Sequence, residues 1–451
     1  MNLAPKASLA FVSLGCAKNL VDSERMLGLL AQQGYAITPD ADGADVVVIN
    51  TCGFIEASRQ ESLGVIREMV ELKRQGRVKA VVVAGCLAER QGEQLLQAVP
   101  EVDGLVGVFG REEIAEVCDR LLNGSLEQAT LFRPAAVRPF DDRARLRVTP
   151  RHYAYLKISE GCDRLCTFCC IPKMRGKHVS KPLEAVVAEA QELIGDGVRE
   201  LILVAQDTTY YGMDLYGQPR LAELLRELDR LEGLDWIRVL YAYPMFLTDE
   251  LLEVFAGADK VLPYLDLPLQ HINDQILRRM QRRVDRRQTE HLLERLRRAI
   301  PELVLRTTFI VGFPGETEAQ FRELCDFVAQ AGFERVGVFT YSYEENTPSA
   351  RLDGHLPEPI KEERRSRLLE IQQRNAFAWS QAQVGKELEV ILDGPDPEVP
   401  GCFLGRCYAD APEIDGCVRI KGKGLAPGDL VRARITGADG YDILGRALSV
   451  R

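Results

Sequence analysis

The stretch Tyr153-Ala154-Tyr155-Leu156-Lys157-Ile158-Ser159-Glu160-Gly161-Cys162-Asp163-Arg164-Leu165-Cys166-Thr167-Phe168-Cys169 runs an apolar strand into a loop with three cysteines. Beyond it the chain alternates short Val/Ile/Leu-rich runs with amphipathic segments of helical period. Strands are expected at 153–159, 200–205, 236–241, 264–267, 305–311 and 335–340, with helices at 183–194, 221–231, 249–256, 289–299, 317–330 and 360–381. Such alternation builds a parallel sheet covered by helices. Six repeats fit an incomplete (β/α)6 barrel better than an open sheet, and sites in these barrels gather where strands end. The cysteine loop falls at such an end.

Upstream, strands are expected at 9–15, 45–51, 79–85 and 104–108, with helices at 23–33, 57–74 and 112–122. This reads as a smaller α/β unit with a parallel sheet. Residues 125–150 carry Pro and Arg without periodicity and read as a linker. After 383, short strands at 384–394, 403–408, 416–420 and 430–436 are separated by Gly/Pro turns, the pattern of a small β-barrel.

The chain has 451 residues, 57 Lys+Arg and 67 Asp+Glu, hence a net charge of −10, with ordinary hydrophobic and charged content. Disorder and collagen-like repeats are excluded by that composition. No apolar run reaches the ~20 residues of a membrane span, and residues 1–10 lack a signal-peptide pattern. A cytoplasmic protein is expected, in which twelve cysteines point to metal ligation or catalysis rather than disulfides.

Cys162, Cys166 and Cys169, spaced C-x₃-C-x₂-C, offer three thiolates from one loop. That number suits a 4Fe–4S cluster with one iron left open. Zinc prefers four closed ligands, commonly from two C-x₂-C pairs; zinc and plain buried thiols are the alternatives, and adjacent Cys170 is poorly placed as a fourth ligand. Cys16, Cys52 and Cys86 each follow the end of an expected strand. In a parallel sheet those ends share one edge, so three cysteines distant in sequence are expected to meet, with Gly15 and Gly85 allowing close approach of a bulky group. Core packing is the bland alternative for these three.

With Phe168 before the third cysteine, the C-x₃-C-x-Φ-C loop resembles the radical S-adenosylmethionine (SAM) superfamily. Ser13-Leu14-Gly15-Cys16-Ala17-Lys18-Asn19-Leu20-Val21-Asp22-Ser23-Glu24, Asn50-Thr51-Cys52, Ala84-Gly85-Cys86, Ile158-Ser159-Glu160-Gly161-Cys162, Ile171-Pro172-x-x-Arg175-Gly176 and Gly312-Phe313-Pro314-Gly315-Glu316-Thr317 together resemble the methylthiotransferases along nearly the whole chain. The resemblance implies a flavodoxin-like methylthiotransferase domain (6–124), a linker (125–147), a radical SAM core (148–379) and a TRAM β-barrel (380–451). It implies two 4Fe–4S clusters, one on Cys16, Cys52 and Cys86 and one on Cys162, Cys166 and Cys169, with SAM on the open iron of the second. Phe168 would lie near the adenine, and Gly312, Gly315 and Glu316 would contact SAM; a plain strand–helix turn with Thr317 as N-cap is the other reading of that loop.

By the same resemblance one SAM supplies a methyl group held on sulfur at the first cluster. A second yields a radical that takes hydrogen from the β-carbon of an aspartate, which then collects the methylthio group. Cys16-Ala17-Lys18-Asn19, Pro150–Lys157 and Tyr441-Asp442-Ile443-Leu444-Gly445 resemble the branch acting on small-subunit ribosomal protein S12, free or in the subunit. That branch needs an electron donor such as flavodoxin and a sulfur source. The tRNA-modifying branch, acting on N6-isopentenyladenosine beside the anticodon, and a non-catalytic iron–sulfur sensor or scaffold are the competing readings. Residues 380–451 hold nine Lys+Arg and eleven Asp+Glu, a balance expected to suit a basic protein partner better than RNA.

Among the remaining candidates, Gln206 and Asp207 end a strand and either line the cavity or begin a loop. Arg278, Arg279, Arg282, Arg283, Arg286 and Arg287 read as a solvated face, with ribosome contact as the alternative. Cys118 and Cys325 sit in helical patterns and read as core. Cys402, Cys407 and Cys417 offer only a weak third site, and the five histidines form no triad or zinc pattern.

Overall fold

The structure is a computed structural model and describes residues 5–451. Val- and Ile-rich segments too short for helices pair side by side near the N-terminus. They give a six-stranded parallel sheet in the order Ala36–Thr38, Ser8–Ser13, Val46–Thr51, Ala80–Gly85, Gly104–Val106, Ala129–Leu131. The central strands Val46–Thr51 and Ala80–Gly85 are buried along their whole length, as strands covered on both faces must be. Helices Ala17–Gln32, Glu56–Arg74 and Ile114–Leu122 cover the sheet, which has the flavodoxin-like strand order.

A second parallel sheet runs Tyr153–Lys157, Glu200–Val204, Trp236–Val239, Val261–Asp266, Val304–Val311, Arg335–Thr340 in sequential order. This is the six-stranded partial barrel. Its outward side chains, such as Leu156, Leu203 and Val239, pack on the helices. The inward ones, Tyr153, Tyr155, Ile202, Trp236 and Tyr264, share a core with Val390, Ile391, Cys407 and Ala409 of the C-terminal barrel and with Val21 near the start of helix Ala17–Gln32. One end of the barrel is thus plugged by the C-terminal module and the other is overlain by the N-terminal domain.

The module itself is a closed barrel of Glu387–Pro395, Cys402–Arg406, Val418–Lys421, Leu430–Asp439 and Asp442–Val450. Its fifth strand follows a turn at Gly440 (φ +63°) and is an addition to the four expected. Part of the expected linker is also structured. Ala129–Leu131 is an edge strand, and residues 141–149 form a strap across helix Ala17–Gln32: Arg25 donates to Arg143 O (2.8 Å), and Leu146 N donates to Glu24 O (3.0 Å). The crossing is tight enough that a β-carbon on Gly28 would lie 2.2 Å from Ala144 O.

The charge of the C-terminal module is distributed otherwise than its total implies. Asp393 pairs with His152 and Arg406, Asp396 with Arg419, Asp410 with Arg335, and Asp415 accepts from Tyr264. With those acids turned inward, the exposed charges are Lys386, Lys421, Lys423, Arg432, Arg434, Arg446 and Arg451 against Glu389, Glu398, Glu413 and Asp439. Strand register puts Lys421 beside Arg446 and Arg446 beside Arg434, a basic stripe. The net charge of the module therefore does not describe its surface: burial withdraws more acids than bases and leaves a basic excess exposed.

Buried carboxylates at the two interfaces set the acid limit of the fold. Burial raises Asp142, Glu160, Glu200 and Asp393, but neighbouring Arg and Lys outweigh it for the first three and His152 with Arg406 for Asp393, holding all four below the usual carboxylate range. A depressed folded value stabilises above the unfolded value, near 4, and the gain is lost as pH falls below it. The stabilisation these four carboxylates provide is therefore expected to stay level from pH 8 to about 5 and to be lost below about 4. Urea melts followed by tryptophan emission test this, because both tryptophans, Trp236 and Trp379, pack in the core shared with the C-terminal module. Stability that does not fall between pH 4 and pH 2 would contradict it.

Candidate functional site

Three loops at the C-terminal edge of the first sheet carry Cys16, Cys52 and Cys86. Cys16 caps helix Ala17–Gln32, Cys52 follows strand Val46–Thr51, and Cys86 opens helix Cys86–Gln91 after Gly85. Gly15 (φ +96°) and Gly85 (φ +89°) occupy backbone that other residues rarely adopt. A β-carbon on Gly15 would lie 2.9 Å from Cys52 Cβ, and one on Gly85 would lie 2.1 Å from Asn50 Oδ1. Two asparagines brace the loops: Asn19 Nδ2 donates to Leu14 O (2.6 Å), and Asn50 Nδ2 donates to Asn19 O (2.9 Å) and Ser23 Oγ (2.8 Å). Sequence reading quoted both in motifs but assigned them no task.

The second set lies on the loop after strand Tyr153–Lys157. Gly161 (φ +71°) turns it so tightly that a β-carbon there would sit 2.0 Å from Lys177 O. Cys162 N donates to Gly176 O (3.1 Å), and Thr167 is tied to Met280 O (3.1 Å) and Arg279 O (2.8 Å). Arg164 lies over Tyr210, Tyr243 and Phe246 and donates to Asp207 (2.8 Å).

All six thiols are free. Within each set they lie near enough to repel one another as thiolates. Yet among the described residues no three His, Cys, Asp or Glu are close enough to share one metal ion. Thiolates on a single zinc stand about 4 Å apart, since each Zn–S bond is about 2.3 Å. A cluster places each thiolate on a different iron, so three soft donors in each set suit a cluster. Burial pushes Cys162 up to about 12 and also raises Cys86 and Cys169, so ligation has to displace protons. Buried polar atoms at the barrel mouth, Ser159 Oγ, Gln206 Oε1 and Arg164 Nη2, have no partner, which fits a polar cofactor lying there.

The two sets are joined by Arg175. Its guanidinium is buried, 3.4 Å from Cys86 Sγ, and donates to Asn19 Oδ1 (3.2 Å), Asp22 (2.9 Å) and Glu160 (2.8 Å). Lys157, Arg111, Lys181 and Asp142 extend the network into the strap. A second clasp is Glu344, which accepts from Arg59 and Arg90; Arg90 also donates to Gly53 O (2.7 Å) and lies 3.5 Å from Cys170 Sγ. Burial and pairing are invisible in sequence, so these residues were found only in the fold.

Other candidates fall variously. Phe168 meets Phe313 edge-on, 6.4 Å between centroids. Gly312 and Gly315 take positive φ at the loop beside Lys361 and Arg279. Glu316 is buried and accepts from Gly312 N (2.7 Å), Phe313 N (3.2 Å) and Arg364 (2.8 Å); it braces its own loop. Burial lifts its carboxyl to about 7 against the pull of Arg364. Thr317 caps helix Glu318–Ala331 with Gln320 in a capping box. Arg282 departs from the solvated-face reading: it is buried, donates to Pro268 O (2.6 Å), stacks on Tyr243 and lies 3.7 Å from Cys166 Sγ. Asp207 is buried under Arg164 and caps residues 208–210. Cys118 and Cys325 are core residues, and Cys407 donates to Asp410 (3.0 Å).

Three family models match: "Uncharacterized protein family UPF0004" over 8–107, "Radical SAM superfamily" over 156–328 and "TRAM domain" over 384–448. Curated relatives named ribosomal protein uS12 methylthiotransferase RimO include one from Symbiobacterium thermophilum, 49% identical over 97% of this chain and 90% of its own. Those from Lachnoclostridium phytofermentans (45%; 97% and 99%) and Trichlorobacter lovleyi (46%; 99% and 99%) are as extensive. Among solved structures, the radical SAM methyltransferase TsrM from Kitasatospora setae, with cobalamin and a [4Fe-4S] cluster bound, has a TM-score of 0.58 at 16% identity, covering 76% of this chain and 74% of its own.

Proposed function

Because the chain belongs to the RimO family of radical SAM methylthiotransferases, we propose that it adds a methylthio group to the β-carbon of an aspartate in uS12, working through its two cysteine sets. The observation that carries the division of labour is their juxtaposition: two open sets of three free thiols on abutting loops, one per domain, tied by Arg175. Cys162, Cys166 and Cys169 hold the cluster that binds SAM, and Cys16, Cys52 and Cys86 hold the auxiliary cluster. When bound, these groups supply the methyl donor, the sulfur chemistry and the power to remove hydrogen from an unactivated carbon.

The chain's own residues do the rest. Phe168 and the backbone at Gly312 and Gly315 flank the SAM site, with Glu316 holding that loop in shape. Arg282 places a fixed positive charge beside Cys166, and Arg175 places one beside Cys86. The strap at 141–149 and the Glu344 clasp hold the two loop systems in register, so substrate enters at the domain junction. The basic stripe on the terminal barrel favours uS12 within the ribosomal subunit, where phosphate is exposed. A reductant of the flavodoxin class and a sulfur source complete the reaction, which takes place in the cytoplasm.

The test is a mass spectrum of uS12 from cells with and without this gene. Loss of one methylthio-for-hydrogen increment on a single aspartate is expected. Unchanged uS12 with loss of methylthiolated adenosine from tRNA would overturn the substrate assignment. The relatives' names decide between those substrates; the cysteines, shared by both reactions, cannot.

A further inference from the structure

Four buried lysines are found among the described residues: Lys18, Lys157, Lys181 and Lys361. Three have anions. Lys157 pairs with Asp22 and Glu160, Lys181 with Asp142 and Glu189, and Lys361 with Glu358. Lys18 has no acceptor among the described residues and rests on the Tyr241 ring, its ammonium 3.1 Å from the centroid. Burying an ammonium without a counter-ion is costly, and an aromatic face returns only part of that cost.

The placement is specific. Lys18 lies two residues past Cys16, at the start of the helix that overlies the barrel interior. Tyr241 lies just beyond strand Trp236–Val239, on the barrel's open side, and is held at φ +61°. Tyr241 N donates to Asp266 (3.0 Å), and Tyr241 O accepts from Thr208 N (3.0 Å). Left-handed backbone is strained for an aromatic residue, and here it sets the ring beneath the ammonium. The Cys16 thiol is the strongest charge neighbour of Lys18 but is assigned to the auxiliary cluster, and the neighbouring carboxylates are taken: Asp266 by Arg306 (2.8 Å), Glu160 by Lys157 (2.9 Å) and Arg175 (2.8 Å). A buried lysine with no carboxylate or hydrogen-bond partner among the described residues therefore sits between the auxiliary cysteines and the barrel mouth.

We propose that Lys18 binds the side-chain carboxylate of the substrate aspartate, with Tyr241 as the floor of that subsite, and so determines specificity for aspartate. The inference rests on uS12 being the substrate. A carboxylate adjoining the reacting β-carbon supplies the hydrogen-bonded anion that Lys18 lacks within the protein, and a neutral asparagine supplies no such charge.

The experiment measures binding of two forms of uS12, the native one and one with the modified aspartate changed to Asn, to the cluster-loaded protein and its Lys18→Met and Lys18→Arg variants. The native protein is expected to prefer the aspartate form ~10- to 150-fold, the worth of a charged hydrogen bond. Lys18→Met, similar in length but uncharged, should bind both forms within a factor of two, and Lys18→Arg should restore the preference. Persistence of the preference in Lys18→Met, or its absence in the native protein, overturns the proposal. So does loss of iron–sulfur absorbance in Lys18→Met, which would assign the ammonium to the cluster. Failure of the native protein to bind either form would overturn the uS12 reading itself, and the proposal with it.

Discussion

Cys86→Ser is expected to stop modification of uS12 completely while SAM cleavage to 5′-deoxyadenosine continues, whereas Cys162→Ser is expected to stop both. The asymmetry follows from which domain carries each residue. Cys86 is held by the Gly85 turn and by Arg175 on the edge of the flavodoxin-like sheet, in a different domain from the loop that holds the cluster for SAM. Serine conserves the shape but gives up the soft thiolate that iron–sulfur clusters require. Iron content should fall by about half in either variant, since two clusters of equal size are held by separate thiolate sets. Chromatography of the nucleoside product and mass spectrometry of uS12 separate the outcomes. Loss of SAM cleavage in a folded Cys86→Ser protein would show that the two sets do not work as separate centres.

Arg175→Met is expected to cost about 3–5 kcal/mol of stability, the range for removing one partner of a buried ionic network. The side chain is buried, and its loss leaves Asp22 and Glu160 short of a positive charge in a low-dielectric junction. Arg175→Lys should recover only part of this, because a point charge cannot address Asn19, Asp22, Glu160 and Cys86 together as the planar fork does. Denaturant unfolding gives the stability. The redox midpoint of the auxiliary cluster gives a second readout, expected to move because an N–H donor to a cluster sulfur is removed. A stability change within 1 kcal/mol of the native protein would mean that the junction is wet, with the charges solvated.

The cysteine positions were legible because parallel sheets impose them: Cys16, Cys52 and Cys86 are far apart in sequence, but strand ends of one polarity share an edge. Helix Arg286–Ala299 and its neighbours were legible by apolar period. Ala36–Thr38 and Ala129–Leu131 are edge strands of three residues that, unlike Gly104–Val106, lie in no Val-rich run, and so gave no signal. Arg282 was misjudged because a run of arginines looks solvated whatever one of its members touches. The terminal barrel was misjudged similarly, since a count of charges does not record which of them face inward. Arg175 and Asn19 stood in recognised motifs, yet their partners lie more than 100 residues away or on another loop, and only the folded chain brings these together.

The plug at the bottom of the partial barrel bears on transplantation. Glu200, the first residue of its strand, is held between Arg238 of the core and Arg406 of the terminal barrel, and Arg238 donates to Tyr408 O (2.7 Å). Arg335 reaches Asp410 (2.9 Å) on the core's opposite flank. A chimera that grafts a relative's terminal barrel onto this core must therefore carry matching partners for Glu200, Arg238 and Arg335. Without them Arg335 loses its carboxylate, and the Glu200–Arg238 pair loses its partners Arg406 and Tyr408 O at a dry seam. The unit that can be exchanged is the barrel together with the floor it closes.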